Sequence, residues 1–209
     1  MLEVPAQARV LDLGAGTGRL TRELTRRFAA VVAVEPDDEM RALIDCGTVL
    51  GGTAEAIPLE DGSVDCVFAG EAFHWFDAPR AIAEIARVLA PGGGLAIVWT
   101  HWWETEPLLP EEAVGILREP FERFAAQRPI PWDGVFDDSP FEPLRNEEFA
   151  QELAVDTETL LGMYSTTSSL ALLPEAERTE LFARVRPLLG DAYRLPVKHR
   201  LSWTTLRAG

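Results

Sequence analysis

Short runs of β-branched and other apolar residues alternate with stretches of helical periodicity through roughly the first hundred positions of this chain, the signature of strand-helix units around a parallel sheet. Val10-Leu11-Asp12-Leu13 reads as the first strand. Thr17–Phe28 then carries Leu20, Leu24 and Phe28 at helical spacing, with Arg and Glu on its other faces. Val31-Val32-Ala33-Val34 is a second buried strand, and Pro36-Asp37-Asp38 suits the start of a helix running through Met40, Leu43 and Ile44. Val49-Leu50 is a short third strand ending at Gly51-Gly52, and Val64–Ala69 a fourth, entered through the turn Glu60-Asp61-Gly62-Ser63. Asp77-Ala78-Pro79 caps a helix with Ile82, Ile85, Ala86 and Leu89 in one stripe. Pro91-Gly92-Gly93-Gly94 is expected to stop it, and Leu95–Trp99 to follow as strand five.

Beyond Thr100 the pattern changes. Pro107, Pro110, Pro120, Pro129, Pro131, Pro140 and Pro143 are interspersed with Trp102, Trp103, Phe121, Phe124, Trp132, Phe136 and Phe141, and few such positions suit regular strands. Residues 101–148 read as an insert of short helices over one end of the sheet, or else as an aromatic-rich extension of the core without substrate contact. The α/β character returns with a strand at Phe149–Val155, an amphipathic helix from Pro174 to Leu189 and a long final strand from Leu195 to Leu206. The last two strands are expected side by side. The expected organisation is one domain over 1–209, with a cofactor-binding half (1–100), a substrate-side insert (101–148) and C-terminal strands and helix that complete the sheet (149–209).

A chain of 209 residues can bury a sizeable core without staples. Its formal net charge of −15 disfavours a nucleic-acid partner, because affinity for phosphate backbones comes from clustered Lys and Arg. Cys46 and Cys66 stand outside any CxxC or histidine-spaced pattern, so neither a disulfide framework nor a metal site is indicated, and both read as packing thiols in a reducing compartment. The start, Met1-Leu2-Glu3-Val4-Pro5, lacks a leader-like n-region, and no run is long enough to span a bilayer. A cytoplasmic location away from membranes is expected.

The first strand delivers Asp12-Leu13 into Gly14-Ala15-Gly16-Thr17-Gly18 and then a helix, placing a side-chain-poor loop at the carboxyl edge of the sheet, where ligands bind in doubly wound folds. Glycines allow close backbone approach, and unpaired N–H groups at the helix start suit an anionic group. The dinucleotide fingerprint is GxGxxG, whereas this chain has GxGxG followed by Arg19 and Leu20, which lowers the reading as an NAD site. Glu35, at the tip of the second strand, is placed to accept hydrogen bonds from ribose hydroxyls in either cofactor class. Asp12 either contacts the ligand or ties down the glycine loop through backbone N–H groups.

In VLDLGAGTGRLT, VVAVEPDDEM, GTAEAIPLEDGSVDCVFAGEAFHWFD and IARVLAPGGGLAIVW, over roughly residues 9 to 99, the chain resembles class I S-adenosylmethionine-dependent methyltransferases, especially the trans-aconitate methyltransferase-like subfamily. The resemblance implies a Rossmann-like α/β fold, with a seven-stranded, mostly parallel sheet, an antiparallel last strand beside strand five, and helices on both faces. It implies S-adenosyl-L-methionine as cofactor. Gly14, Ala15 and Gly16 would face its methionine part, with Asp12 behind them. Glu35, followed by Pro36, would meet the ribose, Thr53-Ala54-Glu55 the adenine, and Gly70 and Glu71 the methionine amino group and sulfonium. Many relatives carry Asp at the position of Thr53, so the contact to the adenine amino group is either lost or passed to Glu55. Relatives with HWF commonly have Gln at the position of Glu71, and usually an N-terminal helical cap that this chain is expected to lack.

Methyl transfer from a sulfonium is a direct displacement, so alignment and exclusion of water are the main tasks, and a base is needed only for an acceptor proton of high pKa. His74, in Glu71-Ala72-Phe73-His74-Trp75-Phe76, could act as base or orient the acceptor, or could hold the loop by bonding backbone. Trp75 and Phe76 would pack or face the sulfonium. His101, beside Trp102 and Trp103, is a second candidate on the acceptor side. The expected function is methyl transfer to a small organic acceptor, a carboxylate or hydroxyl. The alternatives are a cofactor-binding module without turnover and, less favoured, an NAD-dependent oxidoreductase. A pocket mouth rich in Trp and Phe would suit cover by a partner chain, hence a homodimer.

Overall fold

Seven strands form one sheet in the order β3-β2-β1-β4-β5-β7-β6 in the computed structural model of the chain, which describes residues 2–101, 108–123, 134–165 and 167–207. β1 (Arg9–Leu13), α1 (Arg19–Thr25), β2 (Ala30–Val34), α2 (Asp38–Arg41) and β3 (Thr48–Leu50) build one side of the sheet. β4 (Val64–Gly70), α3 (Ala78–Val88) and β5 (Leu89–His101) continue on the other side of β1, and α4 (Glu111–Arg123) follows. β6 (Arg145–Asp156), α5 (Thr157–Ser165), α6 (Ser168–Ala171), α7 (Glu175–Val185) and β7 (Ala192–Thr205) complete the chain. β1 is parallel to β2 and β4, β2 to β3, and β4 to β5. β7 runs the other way: Leu206 N–H donates to the Gly93 carbonyl while Thr100 Oγ1 meets His199 Nδ1, so residue numbers fall along β7 as they rise along β5. The chain leaves β1 toward β2 and β3, then returns to place β4 on the opposite side, which makes the carboxyl end of β1 the switch point of the sheet.

The chain divides into two compact units, one of residues 1–99, 129–148 and 200–209, the other of 100–128 and 149–199. In the first, alternation along the strands supplies two cores. Leu11, Leu13, Val32, Val34, Val67 and Ile97 pack with Ile82, Ile85 and Val88 of α3, while Val10, Val31 and Cys66 pack with Leu24 and Phe28. In the second, Ala113 and Leu117 of α4 pack with Leu160, Leu161, Leu181, Val185 and Leu195. A bidentate pair between Arg184 and Glu119 joins α7 to α4, and Pro120 lies inside α4. Among the described residues no helix is long and apolar enough to cross a membrane.

Three local expectations are corrected. Strand five begins at Leu89, not Leu95: α3 ends because Leu89 is already extended, and Pro91-Gly92-Gly93-Gly94 forms an irregular start to the ladder with a register shift opposite Val64 and Cys66. The helix expected through Met40, Leu43 and Ile44 is the four-residue α2, capped by Asp37 accepting from Met40 N–H at 2.8 Å. Met40 and Leu43 are 48 % and 60 % exposed, so no apolar stripe is buried to sustain a longer helix. Strand six starts at Arg145, before Phe149, and its side chains are exposed except Val155.

The insert is divided. Phe136 and Phe141 are core residues of the first unit, with Phe136 stacked on Phe73 at 5.8 Å between centroids and edge-on to Phe141 at 6.1 Å, as the core-extension alternative has it. Phe121 is partly buried in the second core. Trp102, Trp103, Phe124 and Trp132 lie outside the described residues.

Candidate active site

The described residues that meet around the glycine turn belong to the first unit. The turn after Leu13 has Gly14 at φ 71° and Gly16 at φ 56°, left-handed conformations that glycine adopts without a Cβ penalty. Gly14 is also pressed from outside: a Cβ there would lie 2.7 Å from the Ala72 Cβ and 3.4 Å from the Phe76 ring. Gly16 has open space where its Cβ would be. The N–H groups of Gly14 and Ala15 donate to the Val34 carbonyl at 2.9 and 3.1 Å, which fixes the turn to the end of β2.

The residue after Val34 is Glu35, only 6 % exposed. Its Oε2 accepts the Gly16 N–H at 2.7 Å and its Oε1 the Asp37 N–H at 3.0 Å. Arg41 donates to the Glu35 and Pro36 carbonyls at 2.9 and 3.3 Å, and Pro36 itself is exposed. The carboxylate is thereby held rigidly, with one backbone donor on each oxygen and further acceptor capacity on both.

Asp12 is buried beneath the turn. It does not bond the glycine loop: Thr21 Oγ1 of α1 donates to its Oδ2 at 2.6 Å, so the acid ties helix to strand. Burial pushes its carboxyl from 3.8 up to about 6, a rise partly opposed by the bonds from Thr21 and slightly reinforced by the charge of Glu35.

On the far side of β2, Thr53 is exposed and Ala54 buried, and the Ala56 N–H closes a small turn on the Thr53 carbonyl at 3.2 Å. Glu55 Oε1 accepts the Asp77 N–H at 2.9 Å. β4 ends at Gly70, where a Cβ would lie 2.9 Å from Leu20 Cδ2. Glu71 follows at φ 54°, the one non-glycine residue with positive φ among the described residues, with its N–H on the Val98 carbonyl at 2.9 Å. Such strain concentrates where a loop must be aimed.

Phe73-His74-Trp75 is a single 3₁₀ turn. Phe73 enters the core, His74 sits edge-on to Trp99 at 4.3 Å, and Trp75 is 57 % exposed. His74 Nδ1 is buried with no hydrogen-bond partner among the described residues, and burial lowers the imidazole from 6.5 to about 4. His101 closes β5, but its side chain lies outside the described residues. The structure therefore brings Gly14, Ala15, Gly16, Glu35 and the Ala72–Phe76 stretch to one place, with Glu55 joined to the end of that stretch. Sequence reasoning missed Arg41 and Trp99. Arg41 carries no local signal, whereas Trp99, at the end of strand five, is a position that the sheet order brings beside β4. Among the described residues no group of three or more His, Cys, Asp or Glu side chains is disposed to hold a metal ion.

Residues 11–97 match the family described as Methyltransferase domain. An uncharacterised methyltransferase of Mycobacterium tuberculosis is 40 % identical over 191 residues, which is 89 % of this chain and 75 % of that one. The malonyl-[acyl-carrier protein] O-methyltransferase of Methylococcus capsulatus is 42 % identical over 102 residues, covering 44 % of this chain and 37 % of that one. The crystal structure of a methyltransferase ascribed to an antibiotic biosynthesis pathway of Anabaena variabilis superposes with a TM-score of 0.68 at 22 % identity, over 98 % of this chain and 93 % of that chain.

Proposed function

The chain belongs to the class I S-adenosylmethionine-dependent methyltransferases, and from that premise we propose that it methylates a carboxylate or hydroxyl of a small organic acceptor in the cytoplasm, as a member of the trans-aconitate methyltransferase-like subfamily. The observation that carries the cofactor assignment is Glu35: a buried carboxylate pinned by Gly16 and Asp37 N–H groups, with acceptor sites left over for two vicinal hydroxyls. The backbone of Gly14, Ala15 and Gly16 fits the methionine part, with Asp12 beneath the turn tying β1 to α1. Pro36 flanks the ribose site, Thr53, Ala54 and Glu55 line the adenine side, and Gly70 and Glu71 lie toward the amino group and sulfonium.

When bound, S-adenosylmethionine supplies a methyl group on a sulfonium, open to direct displacement. The chain's own task is then to hold the acceptor in line and keep water away. His74 and Trp75, on the loop that packs against Gly14, form the acceptor side, with His101 as a second candidate. His74 is neutral near pH 7, so it can orient an acceptor without adding charge, while a value lowered to about 4 makes it a weak base and favours the orienting role. A carboxylate acceptor needs no base. That class is supported by the Methylococcus relative, whose name states O-methylation of a malonyl group. A net charge of −15 and the lack of paired cysteines in the sequence support a small-molecule substrate and a reducing compartment.

Calorimetry with S-adenosylmethionine, S-adenosylhomocysteine and NAD tests the site. Glu35→Ala is expected to weaken cofactor binding by roughly 1.5–3 kcal/mol, the range for hydrogen bonds to a charged group. Unchanged affinity would overturn the ribose assignment, and a methyl-transfer screen across small carboxylic acids, phenols and amines tests the acceptor class.

A further inference from the structure

Two segments of the cofactor side take hold of the same loop. Residues 71–77 connect β4 to α3 and carry His74 and Trp75. Gly14 meets Ala72 and Phe76 of this loop so closely that a Cβ would come within 2.7 Å of one and 3.4 Å of the other. At the loop's last residue, the Asp77 N–H donates to Glu55 Oε1 at 2.9 Å. Asp77 is the N-cap of α3, yet its own side chain makes no capping bond. A carboxylate near this helix start is thus supplied from a different segment, the one between β3 and β4.

The rest of that segment is strapped along α3. Ile57 N–H donates to Glu84 Oε2 at 2.9 Å, and Arg87 donates to the Ile57, Leu59 and Asp61 oxygens at 2.9, 2.8 and 2.8 Å. The Glu84 carboxylate receives two further bonds from Arg87, both at 2.7 Å, and the Gly62 N–H closes on the Arg87 carbonyl at 2.9 Å. Residues 57–62 and α3 are therefore one body, and Glu55 is where the adenine-side segment grips the end of the loop. Glu71, through its N–H on the Val98 carbonyl, and Phe73, in the core, hold the loop from elsewhere, and a ligand resting against residues 14–16 and 53–55 would load the two holds on the cofactor side.

We propose that Glu55 is a positioning residue: through the Asp77 N–H it couples occupancy of the cofactor side to the order of the loop bearing His74 and Trp75. The inference rests on the reading of 53–55 as the adenine side and 71–77 as the acceptor side. Coupling of this kind is reciprocal, so acceptor contacts on the loop strengthen cofactor binding by the same factor.

Hydrogen exchange on the full chain, with and without S-adenosylhomocysteine, tests it. In the unmutated chain the ligand is expected to slow exchange in peptides spanning 71–77 by about tenfold or more, the scale of a coupling energy near 1.4 kcal/mol. Because Glu55 also lines the adenine side, each variant is compared at an S-adenosylhomocysteine concentration that calorimetry shows to saturate it; in Glu55→Ala the protection should then stay in peptides containing 14–18 and 35–37 and vanish from 71–77. Glu55→Gln keeps an acceptor oxygen and should restore it. Asp77→Pro deletes the donor instead; Asp77 has φ −69° and Phe76 is extended at ψ 149°, so proline fits the backbone, and the variant should reproduce Glu55→Ala. Full protection of 71–77 in Glu55→Ala or Asp77→Pro, or its loss in Glu55→Gln, would overturn the coupling while leaving the cofactor site intact. Absence of both binding heat and protection in the unmutated chain would overturn the cofactor reading and the coupling together.

Discussion

Asp12 makes the folded chain pay for a buried charge at neutral pH, and Asp12→Asn should remove that cost. Its carboxyl is moved from 3.8 to about 6, chiefly by burial. At about 1.36 kcal/mol per tenfold change in proton affinity, this is about 3 kcal/mol of stability. The sign follows from proton counting. Below the unfolded-state value both states are protonated and Asp12 contributes no pH dependence. Between there and about 6 the folded chain binds more protons than the unfolded one, so stability falls as pH rises, and above about 6 the full cost is present. Asn keeps an oxygen for the Thr21 hydroxyl but buries an extra N–H₂ group, which costs about 1–3 kcal/mol at every pH if it finds no partner. The diagnostic is therefore the slope and not the offset. In denaturant unfolding at pH 4, 5, 6 and 7.5, the stability of Asp12→Asn relative to the parent should rise by about 2.4 kcal/mol across the series, because a fraction of the cost is already present at pH 4. His74 titrates in both proteins and cancels in the difference. A flat difference would refute the account of Asp12 as an acid ionised against its burial.

Gly14→Ala should destabilise the chain by more than Gly16→Ala. Both place a Cβ at positive φ, a strain of about 1–2 kcal/mol, but only at Gly14 does the Cβ collide with Ala72; equal losses in thermal unfolding would show that the loop yields freely. His74 should remain neutral from pH 8 to pH 5 in an imidazole NMR titration, because burial holds it near 4. Its neutral burial costs nothing above the unfolded value of 6.5, and stability is lost as pH falls below that; an observed midpoint near 6.5 would contradict a buried ring.

The glycine turn and the buried Glu35 beside it are legible in the sequence because their signals are local. Strand, glycine turn and helix occupy adjacent positions, the apolar runs of β1 and β2 fit strands covered on both faces, and Glu35 follows directly from the end of a strand. The misreadings are also local. Met40, Leu43 and Ile44 have helical spacing, but spacing states only which side chains would share a face, not whether a surface exists to receive them, and Leu43 faces solvent. The run Pro91-Gly92-Gly93-Gly94 looks like a stop, yet opposite β4 it becomes the irregular start of β5. Of the two readings of Asp12, the tie to the glycine loop fails, because nothing in the chain order indicates that Thr21 turns its hydroxyl inward to take that carboxylate.

The end proposed for the acceptor depends on contacts that no short pattern contains. His74 is aimed by its neighbours: Phe73 before it is anchored in the core, where Phe136 from the far side of the insert stacks on it and Phe141 packs edge-on against Phe136. Trp99, from the end of β5, meets the imidazole. Three separated stretches therefore set the orientation of one histidine, while Gly14 and Glu55 hold its loop from the cofactor side. On the proposed assignment, substitutions at Phe136 or Phe141 would act on the loop of His74 without touching Glu35 or the glycine turn, whereas changes at Glu55 or Asp77 would act on the proposed link between the two. The ribose end fixed by Glu35 and the loop fixed through Phe73 and Trp99 then meet at Gly14 and Glu55, so a change of acceptor can be made at Phe136 or Phe141 while the bonds to Glu35 stay as they are.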